Sequence, residues 1–155
     1  MNSAIYFGLL NSDIKIREHA SKILYNCAKA GFDIGIPANR IMGIIFNEKD
    51  SKIKENVVKS FNEFIRRCNN SKQLEKLGTY LQVRYVEWKG NRRIEDVEEV
   101  RNVISEIKNN IRGRVIRLNR KEQILGENIL KLVLKVRGYP GNRKLGLRLR
   151  KIRDG

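Results

Sequence analysis

The chain has 155 residues, 41% of them hydrophobic and 32% charged, with 33 Lys and Arg against 17 Asp and Glu, a net charge of +16. That length fits one ordinary domain or a short repeat array with a real core. The apolar runs are all shorter than the ~20 residues a membrane span needs, and the first residues lack the basic start of a secretory leader, so neither is expected.

The charge is unevenly placed. From Ile107 onward there are fifteen basic residues and three acidic ones, whereas the preceding part holds 18 basic and 14 acidic. Self-repulsion on this scale calls for a polyanionic partner, and nucleic acid is the natural one. Ile, Lys, Arg and Glu dominate, a mix similar to thermophilic usage that the many Asn residues offset. Cys27 and Cys68 are isolated, without CxxC or metal-ligand spacing, and read as reduced, buried helix residues of a cytoplasmic protein.

In chain order, residues 4–10 form a short apolar helix. Asn11, Ser12 or Asp13 caps the next, which carries Ile16, Ala20, Ile23, Leu24, Cys27 and Ala28 on one face and stops at Gly31. Pro37 fits the first turn of a helix bearing Ile41, Ile44 and Ile45. A turn over residues 47–50 leads to a helix with Ile53, Val57, Phe61, Phe64 and Ile65. Asn69, Asn70 and Ser71 interrupt the chain before Leu74, Leu77, Leu81 and Tyr85 resume the helical spacing.

Residues 88–91 make the next turn. Val97, Val100, Ile104, Ile107 and Ile111 then give the cleanest amphipathic pattern in the chain. Asn119 followed by Glu122 resembles a capping box opening a further helix with Leu125, Ile129, Leu132 and Val136, which Gly138 ends. A hairpin pairing residues 114–118 with 129–136 is the alternative. The tail, residues 139–155, has the composition of a segment that orders on binding.

Two stretches align at an offset of 37 residues. Asp13 falls on Asp50, Ile16 on Ile53, Arg17 on Lys54, Glu18 on Glu55, Ala20 on Val57, Lys22 on Lys59 and Leu24 on Phe61. An aspartate in the turn, an aliphatic–basic pair, then apolar residues at helical spacing resembles the second helix of HEAT repeats. The resemblance implies an all-α, HEAT-like array of helical hairpins. It also implies that Asp13 with Arg17, and Asp50 with Lys54, tie adjacent units together. Lys54 departs from the usual arginine and is the poorer bidentate partner. A third unit, near residues 74–88 and 94–111, keeps the hairpin without the Asp–basic pattern. The organisation expected is thus an array over residues 1–112 and a basic C-terminal helix and tail over residues 113–155.

No catalytic group, metal site or cofactor emerges. His19 has only Glu18 beside it, and helical neighbours point apart. Glu95, Asp96, Glu98 and Glu99 suit a helix N-terminus by its dipole. Trp88, beside Lys89, Arg92 and Arg93, suits either base stacking or closing the core.

The candidates for phosphate contact begin with Arg101, Lys108 and Arg112 on one helical face. Arg114, Arg117, Arg120, Lys121, Lys131 and Lys135 follow. Arg137, Arg143, Lys144, Arg148, Arg150, Lys151 and Arg153 extend the set into the tail, with Tyr139 as a stacking residue. Gly138-Tyr-Pro-Gly141 resembles the GxxG loop of KH domains, but its proline and the missing strand–helix order favour a plain basic turn. These features point to a non-enzymatic nucleic-acid-binding protein with little base readout. RNA or a ribonucleoprotein is favoured over duplex DNA, since neither a recognition helix nor a dimer zipper is apparent. The rival reading is an adaptor whose array grips a protein partner within a larger complex.

Overall fold

The structure, a computed structural model, describes residues 2–32, 35–90 and 92–136. Six helices follow one another: α1 (Asn2–Leu9), α2 (Ile14–Ala30), α3 (Ala38–Asn47), α4 (Ser51–Arg67), α5 (Ser71–Lys89) and α6 (Ile94–Val136). The protein is all-α, with no strand among the described residues. It divides into two compact units, residues 1–118 and 119–155.

Local chemistry sets the helix ends. Asp13 Oδ1 accepts from the Lys15 amide at 2.8 Å, and Asp50 Oδ1 accepts from those of Lys52 and Ile53 at 3.0 Å. Asn70 caps α5 in the same way through the Gln73 amide. Each cap satisfies amide groups that a helix start leaves without partners. α2 ends at Gly31, whose φ of 82° lies in the left-handed region. The Gly31 amide donates to Ala28 O and the Phe32 amide to Cys27 O, the Schellman arrangement. Pro37 stands at the N-cap of α3, one position ahead of the first turn. Its ψ of 139° is extended, as a cap requires, and its missing amide costs nothing there.

The first unit is built of three helical hairpins: α1 with α2, α3 with α4, and α5 with the start of α6. Contacts between α2 and α4 advance together along both helices. Glu18 pairs with Lys52, Ser21 Oγ accepts from Asn56 Nδ2, and Lys29 O accepts from Arg67 Nη2. The two helices are therefore parallel and adjacent. The same progression, Lys54 to Glu99 and Asn62 to Glu106, sets α6 parallel to α4. α5 and α6 run in opposite directions, since Gln82 meets Lys108 whereas Asn69 meets Arg114.

One core joins these helices. It contains Leu9, Ala20, Leu24, Ile45, Val57, Phe61, Ile65, Leu74, Leu81, Ile104, Ile107 and Leu118. Three expected core positions of the first unit are exposed: Ile16 by 46%, Ile23 by 40% and Phe64 by 45%. Ile16 and Ile23 belong to α2 and Phe64 to α4. Cys27 and Cys68 are free and half-buried rather than fully buried. Trp88 lies in the last turn of α5 and stacks on Phe46, with ring centroids 5.7 Å apart, so it closes the core.

The expected break between residues 112 and 119 is absent, because α6 is one helix of 43 residues. Gly113 costs a helix only ~1 kcal/mol relative to Ala, and no proline intervenes. Asn119 and Glu122 mimic a cap but sit inside the helix. The hairpin alternative for residues 114–136 is likewise replaced by helix.

Candidate nucleic-acid interface

Arg101, Lys108 and Arg112 all lie on α6 and are exposed. At about 100° per residue they share one flank of the helix. Lys108 Nζ donates to Gln82 Oε1 at 2.8 Å, so this cation is steadied by α5. Arg114 is half-buried and turned toward the protein. Its Nε donates to Cys68 O and its Nη2 to Asn69 Oδ1, both at 3.0 Å, which caps the carbonyl end of α4. Arg117 is exposed on roughly the opposite side of α6 from Arg101, Lys108 and Arg112. The first unit therefore does not gather its candidates into a single strip.

The second unit gathers them better. Arg120, Lys121, Lys131 and Lys135 are all exposed. The helical repeat places the four within an arc of roughly 100°. None of them forms an ion pair with another described residue, whereas Lys22, Lys52, Lys54 and Lys59 of the first unit all do. A row of cations without acidic partners is suited to phosphate, the anion such side chains meet without first breaking an internal pair. Arg137, Tyr139, Arg143, Lys144, Arg148, Arg150, Lys151 and Arg153 lie outside the described residues.

The basic members of the aligned pairs have a structural task. Arg17 Nε donates to Glu48 Oε2 at 3.1 Å, and Arg17 Nη1 donates to Asn11 O and Ser12 O. Lys54 Nζ, itself buried, reaches Glu99 Oε1 at 3.2 Å. Each basic residue thus binds an acid of the following hairpin, while Asp13 and Asp50 cap their own helices. The sequence reading omits Glu48 and gives Glu99 only a helix-dipole role. Glu48 precedes the Asp50 cap by two residues, which is the signal that could have found it.

His19 is exposed and two residues from Ser21, whose hydroxyl donates to Glu18 O. Glu18 binds Lys52 at 2.7 Å and Lys22 at 2.9 Å. First the hydrogen bond from Lys52, then that from Lys22, hold its carboxyl down at about 2. Among the described residues no group of three His, Cys, Asp or Glu is placed to hold a metal ion. No described helix is long and apolar enough to cross a membrane. No protein-family model, curated protein or solved structure matches this chain.

Proposed function

We propose that this chain is a non-enzymatic nucleic-acid-binding protein: a HEAT-like helical array that carries a basic C-terminal segment. It binds the phosphate backbone with low sequence specificity, and RNA or a ribonucleoprotein is its favoured partner. The single observation that carries this reading is the exposed row of Arg120, Lys121, Lys131 and Lys135, without acidic partners among the described residues. The fifteen-to-three excess of basic residues from Ile107 onward supports it. The HEAT-like part is supported by three hairpins whose second helices run parallel, and by the bonds from Arg17 and Lys54 into the next hairpin.

The test is the salt dependence of binding to RNA and DNA of several sequences. Log K should fall linearly with log salt, by about 0.7 to 0.9 per neutralised phosphate. Replacing Arg120, Lys131 and Lys135 together by Ala should weaken binding to every sequence alike and flatten the slope by about two to three units. Removing residues 142–155 deletes six more cations and should flatten it further. An unchanged slope in both variants would refute the reading. Capture of one protein partner, without nucleic acid at any salt, would replace it with the adaptor.

A further inference from the structure

We infer that the C-terminal half of α6 pairs with the same segment of a second copy of this chain, as a short parallel coiled coil. Six large apolar residues after Leu118 face solvent, and besides Ile124 and Val133 they form a regular series: Leu125 is 60% exposed, Ile129 53%, Leu132 62% and Val136 79%. Their spacings of four, three and four residues are those of a coiled-coil seam rather than of scattered surface residues. A helix that buries one face in a core has no reason to keep this period where no core of the described residues covers it.

The residue types select the occupant. Leu125 and Leu132 fall at one seam position, while β-branched Ile129 and Val136 fall at the other. That division favours two strands in parallel. Leu118 lies seven residues before Leu125, so the leucine series continues the last buried position of the first unit. The flanking positions agree. In a parallel pair, Lys121 of one helix faces Gly126 of the other, and Asn128 faces Val133. No like charges meet at these flanking positions. An antiparallel pair would instead set the lysine-bearing flank, Lys121 and Lys135, against itself.

The chain's own tail is a poor occupant by charge. Residues 137–155 carry seven basic residues and one acid, and would lie against a helix that is itself basic. Glu122 takes a seam position and opposes its own copy in the dimer, so it weakens the pairing. With one seam position so occupied and few apolar layers, the dimer buries less than the ~1,600 Å² of a standard interface. Its dissociation constant is then on the order of micromolar. The pairing sets two basic rows side by side, yet it does not depend on nucleic-acid binding.

The experiment uses the full chain, freed of nucleic acid, in roughly 0.5 M salt, where the Debye length is only a few ångströms. Sedimentation across concentrations should show a mass rising from 18.1 kDa toward twice that value. Glu122→Ile should tighten association about tenfold or more. Leu132→Asp should leave a monomer whose circular dichroism and thermal unfolding match those of the parent at a concentration low enough for the parent to be monomeric too, since Leu132 is exposed. Ile129→Cys should form a disulfide with its own counterpart on oxidation, which the parent with Cys27 and Cys68 does not. A parent and Glu122→Ile that both stay monomeric would overturn the inference. So would a dimer indifferent to Leu132→Asp, which would place the interface elsewhere. A seam dimer in which Ile129→Cys fails to cross-link would refute the parallel arrangement.

Discussion

Arg17 and Glu48 join the first two hairpins at their turns: Arg17 Nε lies 3.1 Å from Glu48 Oε2. The other carboxylate oxygen, Oε1, accepts from the amides of Lys49 and Asp50 at 3.0 Å. One largely buried carboxylate therefore fixes both the turn before α4 and the hairpin that precedes it. Glu48→Ala should cost about 1–3 kcal/mol, because it leaves Arg17 Nε and two turn amides without their acceptor. Glu48→Gln keeps an acceptor for the amides and should cost less. Urea unfolding of both, with Arg17→Ala completing a double-mutant cycle, measures the coupling.

The parallel packing of α2 on α4 predicts a sharp contrast within one helix. Leu24 and Phe61 are fully buried, and truncation of either to Ala should cost about 2–5 kcal/mol. Ile16, two turns earlier on α2, is 46% exposed. Its change to Ala should stay under ~1 kcal/mol. Thermal unfolding of the three variants tests the contrast. Equal losses would mean that Ile16 is covered in solution.

Gly31 faces two constraints. Its φ of 82° suits glycine, and an added Cβ would stand 2.5 Å from Arg67 Nη1. Arg67 Nη2 also donates to Lys29 O at 2.7 Å, so the guanidinium is held where the methyl would go. Gly31→Ala should destabilise the fold by about 1–2 kcal/mol from the backbone alone. Replacing Arg67 as well should recover the steric part but not the backbone part, as chemical denaturation of the double variant would show.

Acid should act through Glu18. Its carboxyl is held at about 2 against an ordinary 4.5, chiefly by the hydrogen bond from Lys52 and then by Lys22. A carboxyl lowered in the folded state contributes stability above the unfolded value. That contribution is lost as pH falls from 4.5 toward 2. The stability difference between the parent and Glu18→Gln should therefore be constant above about pH 5.5 and shrink toward zero near pH 2. Because the side chain is only half-buried, added salt should reduce the difference at every pH. Denaturation curves at three pH values and two salt concentrations decide it.

The helix ends were legible because each rests on a local rule. Asp13, Asp50 and Asn70 supply caps, and Gly31 supplies the left-handed stop. The pairing of α2 with α4 was legible too, through the 37-residue alignment of Asp13 with Asp50 and Leu24 with Phe61. Residues 112–119 misled. Gly113 and the Asn119–Glu122 pair carry the chemistry of a helix end, but that chemistry competes with an uninterrupted hydrogen-bond ladder, and the ladder prevails. The period of Leu125, Ile129, Leu132 and Val136 was legible as a helix face, but not that this face stays exposed.

Sequence by itself determined the helical class, the caps and the asymmetry of charge, since these follow from residue type and near-neighbour spacing. Only the tertiary structure decided which cations have partners. The alignment marks Arg17 and Lys54 but not their partners, and nothing marks Arg114; the three are tied to Glu48, Glu99 and the Cys68 carbonyl. Arg120, Lys121, Lys131 and Lys135 are left facing solvent. The physical reason is distance along the chain: these bonds join residues 31 to 46 positions apart. Such partners are set by how the hairpins stack, not by any local pattern.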